Sequence, residues 1–129
     1  MRLLLDSNIV VPVVREEHGK LGAQINLLLN VASNDIFVSV ASIWEIAIKA
    51  RLGKLPLKSP LQQLPDMIAA YEYTLLPIDH HHAVADLVDR PATRDPFDRM
   101  LLAQCQVEGL RLVTTDGALV NHPLAWRPG

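Results

Sequence analysis

Short apolar runs alternate with longer stretches of helical periodicity along the whole chain, and this alternation most limits how it can fold. Residues 124–126 are a candidate edge strand, and four other runs are typical of buried strands: 3–5, 36–40, 75–78 and 111–115. The intervening stretches have helical spacing or helix-start signals: 7–14, 21–32, 42–52, 61–73, 80–88, 96–108 and 116–121. This order predicts an α/β domain with a mostly parallel sheet of about five strands and helices on both faces.

The length and composition favour one domain over residues 1–129 with an aliphatic core. Hydrophobic residues make up 50% of the chain and aromatic residues only 5%, so Leu, Val, Ile and Ala must fill the interior. The single cysteine, Cys105, excludes an internal disulfide and is expected to be a buried thiol in a reducing compartment. The apolar run after Met1 is too short for a signal peptide, and no run reaches the ~18 residues that cross a membrane. We therefore expect a cytoplasmic protein that does not span a membrane.

The net charge neither supports nor excludes a nucleic-acid substrate. The formal value is −2 at pH 7, whereas proteins that bind phosphate backbones usually present a basic surface. An acidic protein can still bind a phosphate backbone if its carboxylates hold a divalent cation, because the bound ion reverses the local charge.

Four acidic residues are expected at one edge of the predicted sheet. Asp6 and Asp116 directly follow the first and fourth predicted strands, and Glu45 lies in the first turn of the helix after the second. Ligands of parallel sheets bind beyond the carboxyl ends of the strands. Asp98 lies in the first turn of the helix that begins at Pro96 and joins the others if that helix packs accordingly. The four carboxylates can thus converge on one rim.

Each of these acids also has a purely structural explanation. Glu45 follows Ser42 at the spacing of a capping box. The segment 95–98 (DPFD) has the pattern of a helix N-cap, a proline at the first helical position and an acid near the positive helix end. Asp116 fits a helix cap and Asp6 a turn. These alternatives stay open for each acid taken alone.

Convergence of all four acids points to a cation, because like charges repel unless they are protonated or neutralised. An all-oxygen donor set suits Mg²⁺ or Mn²⁺ better than zinc, and such ions promote displacement at phosphodiesters. The chain has no glycine-rich phosphate loop, no cysteine pair and no G-x-S-x-G motif to indicate another chemistry.

The chain resembles the PIN-domain family, and within it the VapC-like toxins. The resemblance begins with LLDSN at 4–8 and is most specific in VSVASIWEIAIK at 38–49, followed by LGKL at 52–55, and in RDPFDRMLLAQ at 94–104. It continues through EGL at 108–110 and LVTTD at 112–116, so it covers nearly the whole chain in order. Two departures are Thr93, where many relatives have His, and the poorly matching segment 10–20.

The resemblance implies a PIN-like three-layer α/β/α sandwich and a Mg²⁺- or Mn²⁺-dependent endoribonuclease, the toxin of a toxin–antitoxin pair. The family's catalytic and metal-binding acids fall on Asp6, Glu45, Asp98 and Asp116, and Asp95 is a candidate fifth acid. The implied partners are an RNA substrate, a cognate VapB-like antitoxin and a second copy of the chain in a homodimer.

Several neighbours of the acids are candidates for supporting roles. Short polar side chains that can orient carboxylates or water are Ser7, Asn8 and Thr114. Arg94 and Arg99 flank the acids and can contact RNA phosphate, although a solvated or ion-paired role explains them equally well.

Other residues have simpler structural interpretations. Lys49 follows Glu45 by four residues, which also fits an ion pair on a helix surface. Consecutive helical positions point in different directions, so the run His80–His82 is not expected to grip one ion. Trp44 and Trp126 are expected to be packing residues.

Two rival functions differ in class from a nuclease. One is a catalytically inactive PIN-like module that binds protein or RNA, against which the presence of all four acids argues. The other is a phosphatase or phosphotransferase with Asp6 as nucleophile, although Asn8 stands where many such enzymes have a second Asp.

Overall fold

The computed structural model describes residues 1–129. Its strands are β1 Arg2–Leu5, β2 Asp35–Ser39, β3 Thr74–Leu76 and β4 Arg111–Val113. Its α-helices are α1 Ser7–Val14, α2 Ala23–Leu29, α3 Val40–Arg51, α4 Leu64–Ala70, α5 His80–Val84 and α6 Pro96–Glu108. Short 3-10 helices cover His18–Leu21 and Leu61–Gln63.

The four strands form one parallel sheet in the order β3-β2-β1-β4. β1 lies between its two neighbours, with Leu3 opposite Ile36 on one side and Arg111 on the other. Beyond β4, Leu112 forms an isolated parallel bridge to Ala125, which places the candidate edge strand where it was expected. The predicted α/β sandwich is confirmed, with four regular strands and this bridge in place of about five strands.

The side chains of β1 alternate between two apolar cores, one on each face of the sheet. Leu3 and Leu5 belong to a cluster of 15 buried residues that includes members of α1, α2, α3 and α4. Leu4 points to the other face and joins a cluster of 10 buried residues formed largely with α6. All three leucines are 0% exposed, as expected for a strand covered by helices on both faces.

The order of the strands determines where a crevice opens. The chain steps outward from β1 to β2 and β3 and then returns to β4 on the opposite side of β1. In open α/β sheets, ligands bind in a crevice at the carboxyl ends of the strands on the two sides of such a reversal. Here that position lies beyond β1 and β4.

Several predicted element boundaries were wrong. Pro12 was expected to be tolerated only in a first turn, yet it lies inside the second turn of α1, where it removes one backbone donor near the end of a short helix. The predicted helix 116–121 is a series of turns, and the predicted helix 80–88 ends at Val84. Helix α6 and its termination at Gly109, in the left-handed conformation, agree with the prediction.

Cys105 is buried, and its burial raises its pKa to about 12, which confirms the prediction of an unreactive core thiol. None of the helices combines the length and the apolar character that a membrane crossing requires.

Candidate metal centre

Asp6 is held firmly at the carboxyl end of β1, where it also serves as the N-cap of α1. Its Oδ1 accepts the backbone N–H of Ser7 at 2.7 Å. Its Oδ2 accepts the hydroxyl of Thr114, which follows β4, at 2.7 Å. Asp6 therefore has a local structural role, as the turn interpretation expected, although as an N-cap. The hydrogen bond from Thr114 additionally orients its carboxylate toward β4.

Asp116 lies two residues beyond Thr114, in the turn that follows β4. Its backbone N–H donates to the Thr114 hydroxyl at 3.0 Å, and its Oδ1 accepts the N–H of Ala118 at 2.9 Å. Thr114 thus joins Asp6 to the backbone of Asp116, so that the ends of the two adjacent strands form one unit.

Asp98 comes from the opposite side of the crevice, on the first turn of α6. The helix begins as the sequence predicts, with Asp95 as N-cap and Pro96 at the first helical position. The Asp95 carboxylate accepts the backbone N–H groups of Phe97 at 2.8 Å and Asp98 at 3.4 Å. This cap orients the turn that carries Asp98, whose side chain is largely buried.

The structure brings three of the four predicted acids together. Carboxylate oxygens of Asp6, Asp98 and Asp116 all lie within 4.8 Å of one another. Three carboxylates at this separation repel one another strongly when all are ionised.

The pKa values of two of these carboxylates reflect that arrangement. Burial, and then the charges of Asp95, Asp6 and Asp116, raise the pKa of Asp98 to about 6. Burial also raises the pKa of Asp6, opposed by the hydrogen bonds from Thr114 and Ser7 and reinforced by the charges of Glu45 and Asp116. The cluster therefore holds its full negative charge only at a cost, which a cation would remove.

Glu45 lies beside this cluster and outside the group of three. Its Oε1 accepts the hydroxyl of Ser7 at 2.6 Å, and its Oε2 accepts the ammonium of Lys49 at 3.0 Å. The expected helix-surface ion pair with Lys49 is therefore present, with the Glu45 carboxylate itself buried.

The capping-box interpretation of Glu45 was wrong. Helix α3 begins at Val40 with Ser39 as its N-cap, so Glu45 lies in the second turn and Ser42 caps nothing. A carboxylate buried in that position does not cap the helix terminus. Its burial there favours a role beside the three clustered aspartates.

The remaining candidate residues lie outside the group of three clustered acids. Asp95 caps α6 and is not one of the three clustered acids. Asn8 donates its side-chain amide to the Thr115 hydroxyl at 3.0 Å. The guanidinium groups of Arg94 and Arg99 are exposed and make no ion pair.

Sequence reasoning missed one cluster and one contact. His82 turns inward, where its Nδ1 accepts the backbone N–H of Asp79 at 3.0 Å and its Nε2 lies 2.9 Å from Glu108 Oε1. Both ring nitrogens are thus engaged in a cap that links α5 to α6. The capping spacing from Asp79 to His82 could have indicated half of this link, whereas nothing in the sequence indicates Glu108 or the contact of Asn8 with Thr115.

The donor set of the three aspartates fits a hard divalent cation. It consists of carboxylate oxygens from three separate segments, and no cysteine or histidine belongs to the group. Mg²⁺ and Mn²⁺ prefer such oxygen ligands and retain several waters. Three carboxylates leave the remaining coordination positions of such an ion to those waters or to phosphate oxygens.

Comparisons with known proteins identify the family and the fold. A family model described as PIN domain matches residues 3–123. Ribonuclease VapC16 of Mycobacterium tuberculosis is 46% identical over 50 residues, which cover 38% of this chain and 36% of that protein. The chain thus spans little more than a third of the length of this curated relative.

A solved structure shares the fold. The crystal structure of VapBC2 from Rickettsia felis, bound to a DNA fragment from their promoter, matches with a TM-score of 0.60 and 16% identity. The match covers 90% of this chain and 88% of that one. At this identity the likeness shows a common architecture.

Proposed function

Because the chain belongs to the PIN domain family, we propose that it is a metal-dependent endoribonuclease and the toxin of a toxin–antitoxin pair. The observation that carries the proposal is the convergence of Asp6, Asp98 and Asp116, with carboxylate oxygens within 4.8 Å. The aspartates come from three separate segments and meet beyond the carboxyl ends of strands, the region in which parallel sheets bind ligands.

The three aspartates would hold Mg²⁺ or Mn²⁺. Such an ion supplies Lewis-acid stabilisation of charge on a phosphate and activates water for hydrolysis. Thr114 fixes the Asp6 carboxylate through its 2.7 Å hydrogen bond. Ser7 links Glu45 to the same group, so we assign Glu45 a role beside the ligands.

Substrate and partners follow from the family and from the charge of the site. Arg94 and Arg99 are exposed on the segment that carries Asp98 and are proposed to contact RNA phosphate. We further propose a homodimer and a VapB-like antitoxin, in line with the toxin–antitoxin proteins among the relatives. We also propose a cytoplasmic location, where the protein would meet such partners.

The decisive experiment measures RNA cleavage by purified protein with and without divalent metal. Cleavage should require Mg²⁺ or Mn²⁺, disappear with excess EDTA, and be lost in Asp6→Asn and Asp98→Asn variants that retain wild-type circular dichroism. Asp89→Asn, which replaces an exposed acid outside the cluster of three, is the matched control. Full cleavage in EDTA, by protein free of contaminating nuclease, would refute the proposed mechanism.

A further inference from the structure

A groove of about 540 Å³ is lined in part by Thr114, the hydrogen-bond partner of Asp6. One wall comes from the start of α2 and the residues before it, and the other from the segment that follows β4. Six of the residues along it are Leu21, Gln24, Ile25, Val120, Asn121 and Trp126. Its volume is typical of a site for a small ligand or for one unit of a polymer.

Thr114 connects the groove with the candidate metal centre. It lines the groove, and its hydroxyl donates to Asp6 Oδ2 at 2.7 Å. Asp116 follows two residues later, within about 7 Å along the backbone at full extension. The groove therefore borders the residue that positions the Asp6 carboxylate.

The side chains in the groove have the chemistry that binds a nucleobase. Leu21, Ile25 and Val120 provide apolar surface, and Trp126 provides a flat ring that is half-buried. Aromatic side chains stack on bases of any identity. Such a surface is unsuited to phosphate and well suited to a base.

The polar groups of the groove are free to bind. Gln24 and Asn121 are exposed, and their side-chain amides make no hydrogen bond within the protein. Each amide offers a donor and an acceptor, the pair that matches a base edge. Arg127 borders the same groove, where Nη2 donates to the backbone carbonyl of Asn121 at 2.5 Å, and brings positive charge for a phosphate.

We propose that this groove binds one nucleotide of the RNA chain adjacent to the cleaved bond. Trp126 stacks on the base, Gln24 and Asn121 pair with its edge, and Arg127 contacts a phosphate. Trp126 also packs against the core, so the expectation of a packing role is only part of its function. The inference rests on the proposed function, because it assigns a substrate subsite to the same centre.

The first test is a double-mutant cycle that measures the energetic coupling between one base of the RNA and one side chain of the groove. Hexaribonucleotides that carry one abasic residue on either side of the cleaved bond are compared with the intact hexamer by kcat/KM. For wild-type protein one abasic position should lower kcat/KM by about tenfold, because both the stacking on Trp126 and the hydrogen bonds to the base edge are lost. In the Gln24→Ala and Asn121→Ala variants, the same abasic position should lower kcat/KM by only about threefold or less.

Gln62→Ala is the matched control, because Gln62 is an exposed glutamine on the 3-10 helix Leu61–Gln63 and does not line the groove. It should retain the full abasic penalty. Penalties in Gln24→Ala and Asn121→Ala that equal those of wild type at every position would overturn the inference.

The second test separates binding from cleavage. The chain has two tryptophans, so Trp44→Phe leaves Trp126 as the only indole reporter. In an Asp98→Asn background, a single-stranded hexaribonucleotide should quench Trp126 emission, and Gln24→Ala should weaken this binding by about fivefold.

The two tests distinguish failure of the subsite from failure of the enzyme. Metal-dependent cleavage without quenching and without a coupled abasic position would overturn the subsite and leave the nuclease intact. Quenching that Gln24→Ala weakens, in a protein that cleaves no RNA, would support the groove and refute the nuclease. Quenching by basic peptides but not by RNA would overturn the inference in favour of a protein ligand.

Discussion

At the scale of single residues, Asp98 combines burial with three neighbouring acidic charges, and its pKa rises from the ordinary value of 3.8 to about 6. Between these two values the folded protein retains a proton that the unfolded chain has released. The free energy of unfolding therefore falls as the pH rises through this window. Above about pH 6 the metal-free protein bears the whole cost of the ionised carboxylate.

Asp98→Asn should consequently stabilise the metal-free protein at pH 7.5. We expect a gain of about 1–2 kcal/mol after allowance for solvent screening. At pH 4 the gain should largely vanish, because Asp98 is then protonated in the folded wild type. Thermal melts in EDTA at the two pH values measure this, with the exposed Asp89→Asn as control. Equal stability of variant and wild type at pH 7.5 would contradict the electrostatic account.

The same carboxylate makes metal binding sensitive to acid. Protons compete with the cation for Asp98, so cleavage at a fixed metal concentration should fall as the pH drops through about 6. A higher metal concentration should shift this fall to lower pH. Single-turnover rates across pH, at two Mn²⁺ concentrations, test the competition. A profile that does not respond to metal concentration would assign the titration to another step.

The contacts of Glu45 predict that its loss has a smaller effect than the loss of an aspartate. Its two oxygens are taken by Ser7 and Lys49. Glu45→Gln should weaken Mn²⁺ binding by about tenfold, as expected for a group next to the ligands, whereas Asp98→Asn should abolish it. Isothermal titration with Mn²⁺ measures both. Equal losses would place Glu45 among the direct ligands.

At the scale of elements, the N-cap of α6 connects stability with the site. Asp95 accepts two backbone N–H groups of the first turn, including that of Asp98. Asp95→Ala should cost about 1 kcal/mol of stability and lower cleavage by displacing this turn. Asp95→Ser retains a capping oxygen and should preserve most of both. Urea denaturation and cleavage assays of Asp95→Ala and Asp95→Ser measure both effects. Identical stability and activity of the two variants would contradict a role of the cap in positioning Asp98.

The sequence predicted α6 to the residue because its signals are local and mutually consistent. Asp95, Pro96 and Gly109 mark its two ends, and each acts through its own backbone geometry. The three clustered aspartates were likewise predictable, since two directly follow predicted strands and one lies just after a helix start.

Features decided by tertiary packing were less predictable. Helix α3 starts at Val40 because Ser39, the last residue of β2, is its N-cap, whereas in the sequence Ser42 is an equally good candidate for that cap. The turns after Asp116 depend on pairing of Leu112 with Leu124 and Trp126 at the sheet edge. The groove was not predicted at all, because it forms between segments nearly one hundred residues apart in sequence.

At the scale of the whole molecule, large apolar side chains remain on the surface. The most exposed include Leu27, Trp44, Leu52, Val84 and Val88, each more than half accessible. Covering such side chains between two copies of the chain favours association, so we expect light scattering to give about twice the chain mass of 14.3 kDa. A monomer at high concentration would refute the homodimer.

The proposed antitoxin should neutralise the acids with a basic side chain. An arginine fork matches paired carboxylates and forms charge-assisted hydrogen bonds worth about 1.5–3 kcal/mol. Asp98→Asn should thus weaken the antitoxin complex by about tenfold or more in a competition assay. A complex structure with the three aspartates open to solvent would contradict this mode of inhibition.

The central position of β1 in the sheet has a consequence for the order of events during synthesis. Thr114, the partner of Asp6, lies 108 residues after it, and β1 remains without one neighbour until β4 has been made. Chains fold from the N-terminus as they are translated. A nascent chain therefore assembles the cluster of aspartates only after β4 and the turn that carries Asp116 have been made.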